Sequence, residues 1–172
     1  MKRFILSIIG DDKPGLVDAI ASCVAKHGGN WQTSQLSHLA GKFAGIVLVT
    51  LPASESEALE GALKSLSDSG LSVRVSDADG APSTKPATQA RLEVIGPDRP
   101  GIIREISQAL AKRAISVVEL ISDISPAPMT NEPLFQATIK IVGTDTYDED
   151  ELIDTLDLIA EEMTLDIDLI KN

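Results

Sequence analysis

The chain has 172 residues and a net charge of −11, from 26 acidic against 15 basic side chains. That balance argues against direct binding to nucleic acid or to an anionic membrane, where phosphates need a basic footprint. Aromatic residues make up only 3% of the chain, so the core has to be aliphatic, and the single cysteine excludes an internal disulfide, as in a reducing cytoplasm.

Residues 1–9 are apolar at first sight like a secretory leader. The run is too short, has no small-residue cleavage site and passes straight into Gly10-Asp11-Asp12, so a cytoplasmic location is expected. No stretch approaches membrane-spanning length. Residues 4–9 predict a buried strand ended by Gly10. Pro14 predicts the first turn of a helix. Leu16, Ile20, Cys23, Val24 and His27 follow at helical spacing, and Gly28-Gly29 stop the helix. Residues 30–40 read as extended and polar, Gly41 as a tight hairpin, and residues 43–51 as an apolar strand. Ser54 and Glu57 have capping-box spacing before a helix with Leu59, Leu63 and Leu66, which Gly70 closes. Residues 71–75 complete a βαββαβ order, the ferredoxin-like arrangement of an α+β domain with an antiparallel sheet.

Residues 78–89, rich in Ala and Pro with one Gly, read as a linker. The order then restarts. Residues 91–95 predict a strand and 100–114 a helix bearing Ile102, Ile106 and Leu110. Strands over 116–124 and 134–142 follow. Thr146 and Glu149 suggest another capped helix, with Leu152, Leu156, Ile159 and Met163, before a closing strand at 165–170. The second hairpin carries three prolines within residues 125–133 and predicts a stiff loop without hydrogen bonds, of the kind that is often functional. Two domains are expected, at 1–77 and 90–172. Residues 46–49 are apolar on both faces, so the side of the first sheet away from its helices must meet the other domain, a second copy in a homodimer, or solvent at a cost.

The repeat has a chemical core. Gly10-Asp11-Asp12-Lys13-Pro14-Gly15-Leu16-Val17 returns as Gly96-Pro97-Asp98-Arg99-Pro100-Gly101-Ile102-Ile103. Each copy joins a strand end to a helix start, where backbone N–H groups stand free for an anion. Gly15 and Gly101 allow close backbone approach. Asp12 and Asp98 could accept hydrogen bonds from an ammonium group. Donors for a carboxylate beside an acceptor for an ammonium are what an α-amino acid requires. The plainer alternative is that each Asp caps its helix while Pro and Gly shape the turn. Asn30, which begins the second strand, is expected beside the first loop, where its amide would complete the pocket; an ordinary turn role is the alternative.

Elsewhere the chemistry is sparse. Cys23 lies on the apolar helix face with no base, and reads as a core thiol. His27 sits near a helix C-terminus, where the dipole favours it. No Cys, His and carboxylate set has metal spacing, and no Ser-His-Asp set, Walker loop or dinucleotide fingerprint occurs. No catalytic residue, metal or cofactor is therefore expected. Residues 145–168 are densely acidic without Lys or Arg, which suits a solvated helix face or a docking surface for a basic partner.

The Gly-Asp-x-Pro-Gly-[Leu/Ile] loop after an apolar strand, within βαββαβ, resembles the ACT domain family. The resemblance covers one unit at 1–77 and another at 90–172. The tandem arrangement, together with the hairpin Pro128-Met129-Thr130-Asn131-Glu132-Pro133-Leu134-Phe135, resembles the glycine cleavage system transcriptional repressor group. The resemblance implies a non-enzymatic cytoplasmic regulator that binds a small amino acid, glycine being the first guess. It implies contact with a DNA-binding transcription activator rather than with DNA. Carried over by position, the ligand residues are Asp12, Pro14, Gly15 and Leu16 with Asn30, and in the second unit Asp98, Pro100, Gly101 and Ile102. The second unit has Ala114-Ile115-Ser116 where the first has Gly28-Gly29-Asn30. Two other classes compete: an interaction adaptor that binds no metabolite, and a small acylphosphatase-like enzyme, for which Lys13 and Arg99 are weak substitutes for the required loop arginine.

Overall fold

The computed structural model describes residues 1–78, 88–143 and 148–171. The chain divides into two units, Met1–Pro82 and Ser83–Asn172. The first contains β1 (Lys2–Asp11), α1 (Leu16–Lys26), β2 (Asn30–Leu39), β3 (Lys42–Leu51), α2 (Ser56–Ser65) and β4 (Leu71–Asp77). The second repeats the order with β5 (Thr88–Pro97), α3 (Ile102–Ala111), β6 (Ser116–Pro126), β7 (Pro133–Gly143), α4 (Glu149–Met163) and β8 (Asp166–Lys171). The sheets run β2-β3-β1-β4 and β6-β7-β5-β8, antiparallel throughout. This is the βαββαβ fold expected from the sequence. β5 begins at Thr88, so Gln89, expected in the linker, belongs to the sheet. Most of that linker lies outside the described residues.

Strand alternation builds each core. Phe4, Leu6 and Ile8 of β1 and Val47, Val49 and Leu51 of β3 point inward, against Leu16, Ile20 and Val24 of α1 and Leu59 and Leu63 of α2. In the second unit Leu92, Val94, Ile139 and Ile141 meet Ile106, Leu110, Leu152 and Leu156. Each such aliphatic side chain contributes about 1.5–3 kcal/mol by leaving water, and no polar or charged residue is buried among the described residues. On the opposite face of the first sheet Ile9 and Ile46 are exposed, and Leu48 is half-buried. The corresponding face of the second sheet is mixed: Ile95 and Ile121 are exposed there, Lys140 pairs with Glu119 at 2.6 Å, and the Thr138 hydroxyl donates to Glu93 at 3.1 Å.

Several local expectations are corrected. Gly10 does not end its strand; β1 continues to Asp11. A Cβ on Gly10 would lie 2.9 Å from the Gly70 carbonyl oxygen, and one on Gly96 would lie 2.8 Å from that of Thr164. These glycines admit the neighbouring backbone instead. The Ser54 capping box does not form. Pro52 leads into a short 3-10 turn, Ala53–Glu55, and α2 starts only at Ser56 with no side-chain cap. Thr146 lies outside the described residues; α4 is capped by Asp148, whose side chain accepts from the Glu151 N–H. The proline-bearing hairpin is hydrogen-bonded after all. Ala127 N–H donates to the Glu132 carbonyl at 2.8 Å and Asn131 N–H to that of Ala127 at 2.9 Å, because Asn131 adopts a positive φ that closes the turn.

The helix exits show how the repeat diverged without changing shape. After α1, Gly28 is left-handed (φ 69°) and Gly29 N–H returns to the Val24 carbonyl. After α3, Ala114 takes the same conformation (φ 54°) and Ile115 N–H returns to Leu110. The Ala114-Ile115-Ser116 departure is therefore a change of residue, with the turn retained at a strain of roughly 1–2 kcal/mol.

Candidate functional site

Both candidate loops are built by the same local rule. Gly15 and Gly101 are the residues before α1 and α3, in left-handed conformation with φ 91° and 101°. A Cβ at either would meet nothing within 4 Å, so the backbone angle alone demands glycine, and the space above it is open. The helices begin at Leu16 and Ile102, two residues after the prolines, not at the prolines. Neither helix start has a side-chain cap. Asp12 and Asp98 thus do not cap their helices, which removes the plainer alternative for these residues.

What fixes the aspartates is their backbone. Asp12 N–H donates to the Gly41 carbonyl at 3.0 Å and Asp98 N–H to the Pro133 carbonyl at 2.9 Å. Each loop is pinned to the tip of its neighbouring hairpin, and the carboxylate is left outside. Around the first loop lies a depression of about 270 Å³ lined by Asp12, Lys13, Gly15, Leu16, Val17, Asp18 and Phe43. Leu16 and Ile102 are buried and anchor the helix starts. Asp12 is half-exposed, and His38 of β2 brings Nε2 to 3.8 Å from its Oδ2. Beside it Lys42 pairs with Asp11 and holds that carboxyl below its ordinary range, mainly through the direct hydrogen bond.

Asn30 is not there. It pairs with Thr50, and Thr50 pairs with Arg3, at the start of β1. Asp12 lies nine residues further along the chain from Arg3, so roughly 30 Å of strand separates the level of Asn30 from Asp12. The expectation failed because α1 carries the chain back along the sheet before β2 begins. His38 and Phe43, at the hairpin end, are the β2 and β3 residues that reach the first loop. Phe43 was read only as part of an apolar strand, and His38 only as part of the extended polar stretch of residues 30–40. The signal that could have found them is the hairpin itself, since β2 runs parallel to β1 and ends level with its loop.

The remaining singled-out groups are structural. Cys23 is half-buried rather than fully buried, and burial pushes its thiol up, opposed in part by Lys26. His27 Nδ1 donates to the Cys23 carbonyl at 2.8 Å. No group of three or more His, Cys, Asp or Glu among the described residues could hold a metal ion. No described helix is long and apolar enough to cross a membrane.

A sheet with two helices on one face, twice over, each with a glycine-turned loop at the first helix, defines a tandem ferredoxin-like α+β fold. Comparison with known families agrees: residues 2–76 match an ACT domain and residues 90–159 match another. The chain belongs to the ACT domain family. Among solved structures it is similar to an unknown protein from Galdieria sulphuraria, with 29% identity, a TM-score of 0.88, and coverage of 99% of this chain and 98% of that one. It is similar in fold to a candidate glycine cleavage system transcriptional repressor, with 19% identity, a TM-score of 0.72 and coverage of 99% and 98%. No curated protein matches it.

Proposed function

We propose that this protein is a non-enzymatic regulator that senses a small amino acid at its Gly-Asp-x-Pro-Gly loops and signals by contact with another protein. One observation carries the reading: the loop is fastened through the Asp12 and Asp98 amides, so the helix N–H groups and the carboxylates remain outside and uncommitted to each other. A ligand carboxylate suits the uncapped helix start, with its positive dipole end. A ligand ammonium suits the aspartate. Pro14 and Pro100 stiffen the turn, Gly15 and Gly101 keep it open, and Leu16 and Ile102 tie it to the core. Asn30 has no part in the first pocket.

The regulatory reading leans on the ACT family and on the fold shared with the candidate glycine cleavage repressor. Glycine is accordingly the first effector to test, and a cytoplasmic DNA-binding activator is the proposed partner. The acidic side chains Asp150, Asp154, Asp157, Glu161 and Glu162 are exposed along α4 and give a basic protein something to recognise. Calorimetry of the full chain against glycine and the other protein amino acids tests the sensor role. Saturable binding of at least one, abolished by Asp12→Ala with Asp98→Ala, is expected. Absence of binding across the set would leave the protein an adaptor without a metabolite.

A further inference from the structure

The two loops share a backbone but not the side chains around them. The amide bonds to Gly41 and Pro133 make those two residues equivalent, so Phe43 and Phe135 correspond. Register pairs Phe43 with His38 and Phe135 with Ile124. His38 and Ile124 therefore occupy one station, on the edge strand at the hairpin end. In the first unit that station is polar, with the imidazole 3.8 Å from the Asp12 carboxylate. In the second it is aliphatic. Ile124 is 55% exposed while its partner Phe135 is only 7% exposed, so the core closes without it. The helix side differs as well: Val17 is replaced by the larger Ile103, and Asp18 by Arg104, whose guanidinium pairs with Glu105 at 2.6 Å.

We infer that the two loops rank amino acids larger than glycine differently, the first favouring a hydrogen-bonding side chain and the second an aliphatic one, with His38 and Ile124 as the selecting residues. This rests on the amino-acid reading above. An apolar ligand beside His38 strips water from the imidazole and returns no hydrogen bond. A ligand hydroxyl beside Ile124 suffers the reverse loss. Contact with an exposed isoleucine rewards added methylenes, by on the order of fourfold in affinity for each one buried. A chain with two such loops reads two metabolite levels rather than one level twice.

The test uses the full chain and two probes, L-serine and L-leucine, by titration calorimetry. Asp98→Ala isolates the first loop and Asp12→Ala the second. Serine should bind the first loop about tenfold more tightly than leucine, and leucine the second loop about tenfold more tightly than serine. Adding His38→Ile or Ile124→His should reverse the preference of the loop that carries it. Both positions are more than half exposed, and circular dichroism of each variant confirms that the fold is kept. Probe binding with the same serine-to-leucine ratio before and after the exchanges overturns the selectivity alone. If neither probe binds wild type, the selectivity falls; if the Asp12→Ala, Asp98→Ala double variant binds both undiminished, the amino-acid reading falls and takes the selectivity with it.

Discussion

The Asp12 amide donates to the Gly41 carbonyl at 3.0 Å, and 2.9 Å separates the equivalent pair in the second unit, Asp98 and Pro133. Gly41 belongs to a two-residue turn in which Ala40 and Gly41 both have positive φ. Pro133 ends a longer loop of different composition. The same bond survives because it needs only a carbonyl at the hairpin tip, and proline keeps its carbonyl. The loop position is thus independent of the aspartate side chain. Asp12→Ala should leave the thermal midpoint nearly unchanged while weakening the tightest amino-acid ligand of the first loop by roughly 1.5–3 kcal/mol, the worth of a hydrogen bond to a charged group. Paired thermal scans and calorimetry check this. A large fall in midpoint with unaltered affinity would make Asp12 structural.

Glycine substitutions separate two reasons for glycine. At Gly15 the φ of 91° is the obstacle and space is free, so Gly15→Ala should cost about 1–2 kcal/mol. At Gly45 an added Cβ would sit 2.0 Å from the Gln35 carbonyl oxygen, on the backbone of the paired strand. That contact can be relieved only by moving β2. Gly45→Ala should therefore cost more, toward 3 kcal/mol or beyond. Urea unfolding of the two variants ranks them, and an equal or reversed ranking would show that the hairpin yields.

The acid side of the stability curve has a local contribution from Asp11. Lys42 depresses its carboxyl in the folded state. A depressed carboxyl stabilises the fold above its unfolded pKa, and the contribution fades as pH falls through the folded value. Lys42→Met should raise the Asp11 carboxyl toward its ordinary range and flatten the stability change on acidification. Titration of the Asp11 side-chain carbon by NMR reads this directly. An unmoved Asp11 in the variant would mean that another group depresses it.

Much of the fold was legible because periodicity and punctuation agreed. Residues 4–9, 43–51 and 71–75 lie within the strands they predicted, and Gly28, Gly41 and Gly70 all adopt positive φ where a turn was expected. The repeat placed the second unit by analogy, although Ala114 and Thr164 do there what Gly28 and Gly70 do in the first. The errors have physical causes. Ser54 and Glu57 matched a capping box by spacing, yet Pro52 set the chain into a 3-10 turn first. Three prolines suggested a loop without hydrogen bonds, but Ala127 and Asn131 supply amides that proline lacks. Asn30 was placed beside the loop because it begins the second strand, whose start was expected to lie level with that loop. Because β2 runs parallel to β1, its start lies level with the start of β1, and the 11-residue helix α1 carries Asn30 to that far end of the sheet.

Arg113 tests whether the second unit depends on polar packing. Its side chain is only 12% exposed and reaches from the end of α3 to α4. The guanidinium donates to the Ala109 carbonyl at 3.1 Å, to the Glu151 carboxylate at 2.9 Å and to the Thr155 hydroxyl at 2.6 Å. The Glu151 carboxylate is itself largely in water, so the pair alone contributes little. The greater part comes from the nearly buried guanidinium spanning two helices. Arg113→Met should keep the packing of the stem and cost on the order of 1–2 kcal/mol. Glu151→Gln should cost less than 1 kcal/mol. Equal losses in urea unfolding would assign the energy to the ion pair instead.

A chain of net charge −11 meets DNA phosphates with repulsion at every approach. α4 concentrates that charge: Asp150, Asp154, Asp157, Glu161 and Glu162 are exposed, whereas Leu152 and Leu156 hold the helix to the core. Purified protein should therefore fail to retard DNA at modest salt. A complex with a basic partner protein should weaken as salt rises, since screening acts on exposed charge. Neutralising Asp150, Asp154, Asp157 and Glu161 to Asn or Gln leaves Leu152 and Leu156 in place and should preserve the fold. It should reduce both the affinity for that partner and the salt dependence. If the effector shifts partner affinity, the partner must shift effector affinity by the same factor, and calorimetry of the amino acid with and without partner measures it. Retarded DNA with the chain alone, or partner binding that ignores the neutralised helix, would contradict an acidic docking surface on α4.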